Sequence, residues 1–202
     1  MKLYYVHDPM CSWCWAFRPV YMELRTKLPA NIEFIRLLGG LAPDSNKLMS
    51  KEVRDYVIGN WRRIQQVIPE TKFNYDFWTK CQPRRSTYPS CRAVIAARLQ
   101  GEQYDEIMTF AIQQAYYLQA RNPSNNETLI ELAEEIELNK NKFENDLMSD
   151  AVEQELKQEL KLARELQLNS FPGLLLIKNV EHIHINPDYH NVNIILDRLI
   201  NY

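Results

Sequence analysis

The segment KLYYVHDPMCSWC, residues 2–14 of the 202-residue chain, contains the patterns from which the fold is predicted. Its first part, Lys2–His7, is aromatic and apolar and is bounded by Asp8-Pro9, which predicts a short buried strand. A helix is predicted to begin near Cys11 and to end at about Leu28, and a second strand is predicted over Ile32–Leu38. This order is a β-α-β unit, whose two strands are expected to be parallel.

The sequence after this unit changes from a strand period to a helix period. Apolar spacing predicts helices near residues 50–68, 90–100, 103–119, 126–137 and 150–167. Asp150 and Glu153 are the predicted capping pair of the last of these helices. Strand patterns return at 173–177 and 180–185 as a predicted hairpin, and a closing helix is predicted over 192–200. The sequence therefore predicts an α/β unit formed by residues 1–42 and 149–202, with an all-helical insertion at residues 43–148.

The composition is that of an ordinary globular protein, with 46% apolar and 25% charged residues. The net charge of −2 argues against a protein that binds nucleic acid or an anionic membrane surface. The first residues lack the pattern of a secretory signal, and no apolar run approaches the ~20 residues of a membrane span. We therefore expect a cytoplasmic protein, whose cysteines are catalytic, metal-binding or inert rather than structural disulfides.

A C-x-x-C motif lies at the predicted junction between the first strand and the first helix, as Cys11-Ser12-Trp13-Cys14. The free N–H groups and the dipole at a helix N-terminus stabilise a thiolate, so Cys11 is the predicted nucleophile. Cys14 lies about one turn deeper and is predicted to resolve the mixed disulfide by attacking Cys11. The motif thus predicts a redox-active Cys11–Cys14 disulfide, with no bound cofactor and no metal.

Two other interpretations of the motif are half of a zinc site and a pair of inert buried thiols. The other cysteines, Cys81 and Cys91, are separated by nine residues rather than two to four, and no His has zinc-finger spacing, which disfavours zinc. The strand-to-helix position disfavours inert thiols. Two prolines support the redox interpretation of the motif. Pro19 inside the predicted helix indicates a kink, and Pro172 before a strand indicates a special turn with a cis bond.

The segment DPMCSWCWAF, residues 8–17, resembles the active site of DsbA-like thiol–disulfide oxidoreductases. Within that family it is most similar to a cytoplasmic branch whose members are proposed to be protein-disulfide isomerases. Pro19 matches the proline in the active-site helix of thioredoxin-like proteins, and LQLNSFP at residues 166–172 resembles the approach to their cis-proline. Weaker matches are GGL at 39–41 and YPSCRAV at 88–94, and the resemblance spans nearly the whole chain.

The resemblance implies a thioredoxin-like fold with a helical domain inserted after the second strand. It also implies that Pro172 is cis and faces Cys11, and that the backbone of Phe171 pairs with an extended substrate. Trp13 is expected near the surface beside Cys11 and is assigned, with Phe171, to substrate binding. The chain departs from the family pattern in having no His between the cysteines and in carrying Gly173 where relatives often have Thr.

The predicted function is a thiol–disulfide reductase or isomerase that acts on disulfide-containing proteins or small thiols in a reducing cytoplasm. An alternative is a glutathione-dependent enzyme similar to 2-hydroxychromene-2-carboxylate isomerases or kappa-class glutathione transferases. Glutathione is then a co-substrate, and the presence of Cys14 disfavours this alternative because those enzymes usually lack a full C-x-x-C. A third interpretation is a non-catalytic partner-binding or zinc-binding module. The oligomeric state is not indicated by the sequence.

Other residues with reactive or polar side chains have two interpretations each. Cys91, alone or with Cys81, is a second redox site or a small buried thiol, and the buried thiol is favoured. His7 either tunes Cys11 or is a hydrogen-bonded histidine at a strand end, which is favoured. The aromatic residues in 73–78 either line a substrate groove or anchor the chain to the core, which is favoured. Arg84-Arg85 is predicted to be a solvated basic pair.

Overall fold

The computed structural model describes residues 1–200, which form four strands and nine helices. In chain order they are β1 (Lys2–His7), α1 (Ser12–Lys27), β2 (Glu33–Leu38), α2 (Lys51–Val67), α3 (Phe77–Lys80), α4 (Tyr88–Arg98), α5 (Tyr104–Tyr117), α6 (Asn126–Glu135), α7 (Lys140–Leu147), α8 (Asp150–Glu165), β3 (Gly173–Lys178), β4 (Glu181–Ile185) and α9 (Val192–Ile200). The predicted β-α-β unit, helical middle segment, hairpin and closing helix are all confirmed.

The four described strands form one sheet in the order β2-β1-β3-β4. Strand β1 is parallel to β2, with Tyr5 opposite Arg36, and antiparallel to β3, with Tyr5 opposite Leu174. Strands β3 and β4 pair as the predicted antiparallel hairpin. The central strand β1 therefore carries the chain directly from the middle of the sheet to the C-x-x-C segment.

Alternate residues of the strands face two different helical layers, because side chains along a strand point to opposite faces in turn. Leu3 and Tyr5 pack with α1 and α9 on one face. Val6 and Leu175 pack on the other face against Ala163 of α8. The apolar side chains on both faces explain why these strands read as continuous apolar runs rather than as alternating ones.

The largest cluster of buried side chains lies among the helices that follow β2 and is centred on Trp61 of α2. Trp61 is fully buried, and its ring stacks on Phe73 at a centroid distance of 4.7 Å and contacts Trp78 at 5.0 Å. The irregular aromatic segment is therefore an anchor to the core, as the favoured interpretation had it. Helix α8 belongs to this cluster through Leu156 and to the sheet layer through Ala163. The division at residue 149 stays a prediction.

Three local predictions differ from the structure. The cap of α8 is Ser149, whose hydroxyl oxygen accepts from the Val152 N–H at 3.3 Å, rather than the pair formed by Asp150 and Glu153. Helix α7 was not predicted, because its sequence is polar and only Phe143 and Leu147 are buried. The short helix α3 lies between residues 69 and 89, where no helix was predicted. None of the helices in residues 1–200 has the length and hydropathy needed to cross a bilayer.

Candidate active site

Cys11 occupies the N-cap position of α1, one residue before the first turn in which the sequence placed it. Its backbone is extended, with φ −81° and ψ 116°, and its sulfur accepts a hydrogen bond from the Cys14 N–H at 3.4 Å. An N-cap atom satisfies one of the free N–H groups of a helix's first turn. The sulfur of Cys11 therefore sits where the N–H groups and the positive end of the helix dipole favour a negative charge.

Cys14 lies one turn along α1 and is more deeply buried, with 1% of its surface exposed against 5% for Cys11. Burial raises the pKa of the Cys14 thiol well above its ordinary value, and its contact with the Cys11 sulfur raises it further. Neither cysteine forms a disulfide in this structure. The two positions therefore differ, since the Cys11 sulfur caps the helix and the Cys14 sulfur is buried in surroundings that raise its pKa. The roles assigned to the two cysteines stay predictions.

The loop before β3 forms one wall beside Cys11. The Phe171–Pro172 peptide bond is cis, as predicted. The Cys11 thiol donates a hydrogen bond to the Phe171 carbonyl at 3.6 Å, which brings residues from the two ends of the chain into contact. The pairing of the Phe171 backbone with a substrate, and the catalytic role given to Pro172, stay predictions.

A buried aspartate that the sequence analysis did not identify holds the Cys11 loop in place. Asp8 is fully buried and accepts hydrogen bonds from the Met10 N–H at 2.8 Å, the Leu41 N–H at 2.6 Å and the Thr87 hydroxyl at 2.6 Å. Burial raises its pKa, and these hydrogen bonds oppose that effect. Asp8 thus joins the loop before α1 to the segment after β2 and to the start of α4. The only sequence signal was an acidic residue between a strand and a proline.

His7 lies behind Cys14 rather than beside Cys11. Its ring is buried, and its Nε2 lies 3.0 Å from Nη2 of Arg36. Burial lowers the pKa of His7 well below its ordinary value, and the charge of Arg36 lowers it further. His7 and Cys14 both line a small cavity of about 10 Å³, together with Gln113 and other residues. The structure agrees with the favoured interpretation of His7 as a hydrogen-bonded strand-end histidine.

Cys11 opens into a groove of about 240 Å³ between the sheet and the helical segment. Trp13 lies on its rim, half-buried, with its ring 5.3 Å from that of Tyr189. Arg84 and Arg85 also line the groove. The prediction of a solvated basic pair is wrong, because both side chains are half-buried and face this groove. The groove thus combines a thiol, aromatic surface and two guanidinium groups.

The remaining cysteines do not line this groove. Cys91 is fully buried, with its sulfur 3.7 Å from Oδ2 of Asp8, and burial raises its pKa well above the ordinary value. Cys81 donates to the Ala120 carbonyl at 3.0 Å. Across residues 1–200, no group of three or more His, Cys, Asp and Glu side chains is placed to hold a metal ion.

Several curated proteins are similar to this chain in sequence. SpxH of Bacillus subtilis, described as a ClpXP adapter protein, is 24% identical over 183 residues, which is 90% of this chain and 60% of SpxH. The chain thus spans about 60% of the length of the curated relatives it matches.

Two solved structures are similar over nearly their entire length. A protein from Nitrosomonas europaea, proposed to be a disulfide isomerase, superposes with a TM-score of 0.83 at 24% identity, covering 99% of this chain and 96% of that one. The cytosolic disulfide reductase DsbM of Pseudomonas aeruginosa superposes with a TM-score of 0.77 at 20% identity, covering 100% and 99%, and has also been solved with GSH. The predicted thioredoxin-like fold is thereby confirmed. Since the family model described as Thioredoxin matches residues 4–195, this chain belongs to the thioredoxin family.

Proposed function

We propose that this protein is a thiol–disulfide oxidoreductase that reduces or isomerises disulfides through Cys11 and Cys14. The observation that carries the proposal is the arrangement of the two sulfurs: one caps α1 at the mouth of a groove, and the other is buried one turn behind it. A reactive cysteine needs an environment that favours the thiolate together with access to substrate, and the N-cap position beside a groove supplies both.

The exchange proceeds in two displacement steps. The Cys11 thiolate attacks one sulfur of a substrate disulfide, so a mixed disulfide forms and the first substrate thiolate leaves and takes a proton. Cys14 then gives up its proton and attacks the Cys11 sulfur, which forms the Cys11–Cys14 disulfide and releases the second substrate thiolate. The substrate gains two electrons and two protons, and a thiol reductant restores the dithiol. Isomerisation results instead when another thiolate of the same substrate attacks the substrate sulfur of the mixed disulfide, because this forms a new substrate disulfide and releases the Cys11 thiolate with no net reduction.

We further propose that the protein works in the cytoplasm as a reductase or isomerase, with protein or small-thiol disulfides as substrates and glutathione as a co-substrate. The similarity to DsbM supports this proposal, because DsbM is described as a cytosolic disulfide reductase and has been solved with GSH. A reducing thiol pool keeps the Cys11–Cys14 pair in the dithiol form, which is the form that donates electrons.

An adapter role is a second candidate, because SpxH is described as a ClpXP adapter protein. Partner binding needs a surface but not two reactive thiols, so replacing Cys11 or Cys14 leaves an adapter intact. A glutathione transferase, in contrast, needs Cys11 at most and keeps its activity without Cys14. The C-x-x-C geometry favours the exchange function over both.

The test is catalysed reduction of a model protein disulfide, such as insulin, in the presence of a small thiol reductant. Cys11→Ser is expected to abolish catalysis. Cys14→Ser is expected to lower turnover by about 10²-fold or more, because a positioned intramolecular thiol acts at a high effective concentration. Cys81→Ser and Cys91→Ser are the matched controls and should retain near wild-type rates. Equal activity of Cys11→Ser and wild type, or a comparable loss in a folded control, would contradict the proposal.

A further inference from the structure

The groove beside Cys11 contains two arginines that lack acidic partners. Among residues 1–200, neither Arg84 nor Arg85 forms an ion pair, and Arg85 also makes no hydrogen bond. Arg84 donates to the Ser124 carbonyl and, at 2.8 Å, to Oδ1 of Asn125, while its Nε is buried without a partner. Both guanidinium groups are therefore half-withdrawn from water without a negative charge to balance them.

Two half-buried arginines of the neighbouring helix α4, in contrast, are paired with carboxylates. Arg92 is paired with Asp44 at 2.6 Å and with Glu153 at 3.1 Å. Arg98 pairs with Asp105 at 3.2 Å and also with a glutamate of α8. The chain as a whole has a net charge of −2, so the positive character of the groove is a local feature.

The described lining of the groove contains no Asp, Glu or Lys side chain, so nothing in it offsets the two arginines. Its other contributors are neutral polar groups such as Asn60 and Ser170 and the aromatic side chains of Trp13 and Tyr56. Partly desolvated guanidinium groups bind carboxylates through short, often bidentate hydrogen bonds, and these bonds strengthen where water is excluded. The site is therefore suited to an anion held close to the Cys11 sulfur.

We propose that this groove selects small disulfides and thiols that carry carboxylates, and that Arg85 and Arg84 bind those carboxylates while the substrate sulfur reaches Cys11. The proposal rests on the exchange function and specifies its substrate class. A volume of about 240 Å³ suits a small molecule or part of a short peptide rather than a folded surface. Arg85 has no structural hydrogen bond to lose, which makes it the better position to test than Arg84.

The experiment compares kcat/KM of the protein for three small disulfides of different charge. They are oxidised glutathione, which carries four carboxylates, the neutral bis(2-hydroxyethyl) disulfide, and the dication cystamine. Wild type should prefer them in that order. In Arg85→Gln, the ratio of kcat/KM for oxidised glutathione to that for the neutral disulfide should fall about tenfold or more, because a charge-assisted hydrogen bond is lost. Arg63→Gln, an exposed position on α2 outside the groove, is the matched control and should leave this ratio at the wild-type value.

Each contrary result has a defined meaning. Equal kcat/KM values for the three disulfides, or an unchanged ratio in Arg85→Gln, would overturn the inference while leaving disulfide exchange intact. Charge preference seen only with an acidic protein disulfide, and not with oxidised glutathione, would overturn the assignment to small substrates. Failure of the exchange function itself is detected separately, by unchanged insulin reduction in Cys11→Ser.

Discussion

Replacing Gly39 by alanine should disturb the loop that faces Cys11. Gly39 follows β2, and its N–H donates to the His7 carbonyl at 2.7 Å, so its backbone is fixed against the central strand. A Cβ built there lies 1.8 Å from Cε1 of Phe171 and 2.7 Å from Cγ1 of Val6. Non-bonded carbons settle at about 3.5–4.0 Å, so the Phe171 ring must move by about 2 Å.

The energetic cost follows from this displacement. Overpacking a closely packed site costs about 1–3 kcal/mol, and the loss of unfolded-state freedom on replacing Gly by Ala returns about 0.4–1 kcal/mol. We expect Gly39→Ala to lower the free energy of unfolding by about 1–2 kcal/mol in urea titration. It should also lower kcat/KM for disulfide reduction, because Phe171 contributes both the carbonyl that accepts from Cys11 and a wall of the groove.

Gly59 in the middle of α2 provides the matched control. A Cβ added there has no atom within 4 Å, and the position is exposed. Gly59→Ala should therefore stabilise the protein by about 0.5–1 kcal/mol, the usual gain inside a helix, and leave activity unchanged. If Gly39→Ala proves as stable as Gly59→Ala and equally active, the contact of Gly39 with the Phe171 ring does not position the loop.

Two further predictions concern titration and thiol reactivity. Because burial and Arg36 lower the pKa of His7, its contribution to stability is fully present above its ordinary pKa of 6.5 and is lost as the pH falls toward the folded value. Urea titrations from pH 7.5 to 5 give the free energy of unfolding at each pH for wild type and for His7→Gln. The wild-type value should fall more steeply as the pH is lowered, by up to about 1.4 kcal/mol per pH unit, because only wild type contains the imidazole. Equal slopes for the two proteins would contradict this. Cys11 should be alkylated faster than Cys14 at neutral pH, since Cys14 is more buried and its pKa is raised. Site-resolved mass spectrometry of iodoacetamide labelling measures both rates, and faster labelling of Cys14 would reverse the assigned roles.

The sequence predicted the parts of the fold that depend on local patterns. Strands β1 and β3 are visible as apolar runs, and α2 is visible from apolar residues at helical spacing. Each pattern is local, because the burial of an element determines which of its positions are apolar. The placement of Cys11 at the N-terminal end of a helix was predicted from the order of a strand, a turn and a C-x-x-C motif. Helix α7 was missed because only two of its side chains reach the core, and the cap of α8 was displaced by one residue because serine and aspartate both suit that position.

The unpredicted parts of the site depend on contacts between distant segments. Asp8 accepts hydrogen bonds from Leu41, which is 33 residues away in the sequence, and from Thr87, which is 79 residues away. The residues next to Asp8 in the sequence therefore do not indicate that it is buried. Arg84 and Arg85 lie in an irregular segment, where an arginine pair is usually exposed to solvent. Only the tertiary structure places them in the same groove as Cys11. Charge pairing is set by tertiary structure, which is why the basic pair was assigned to solvent.

Trapping the covalent intermediate tests whether disulfide exchange proceeds through Cys11 and Cys14. Cys14→Ser should accumulate mixed disulfides with substrate through Cys11, because attack by Cys11 is intact and the resolving thiol is gone. Cys11→Ser should accumulate none, since Cys14 is buried behind α1's first turn. Non-reducing gels followed by mass spectrometry of the adducted peptide give the readout. Equal trapping by both variants, or by neither, would contradict exchange through Cys11 and Cys14.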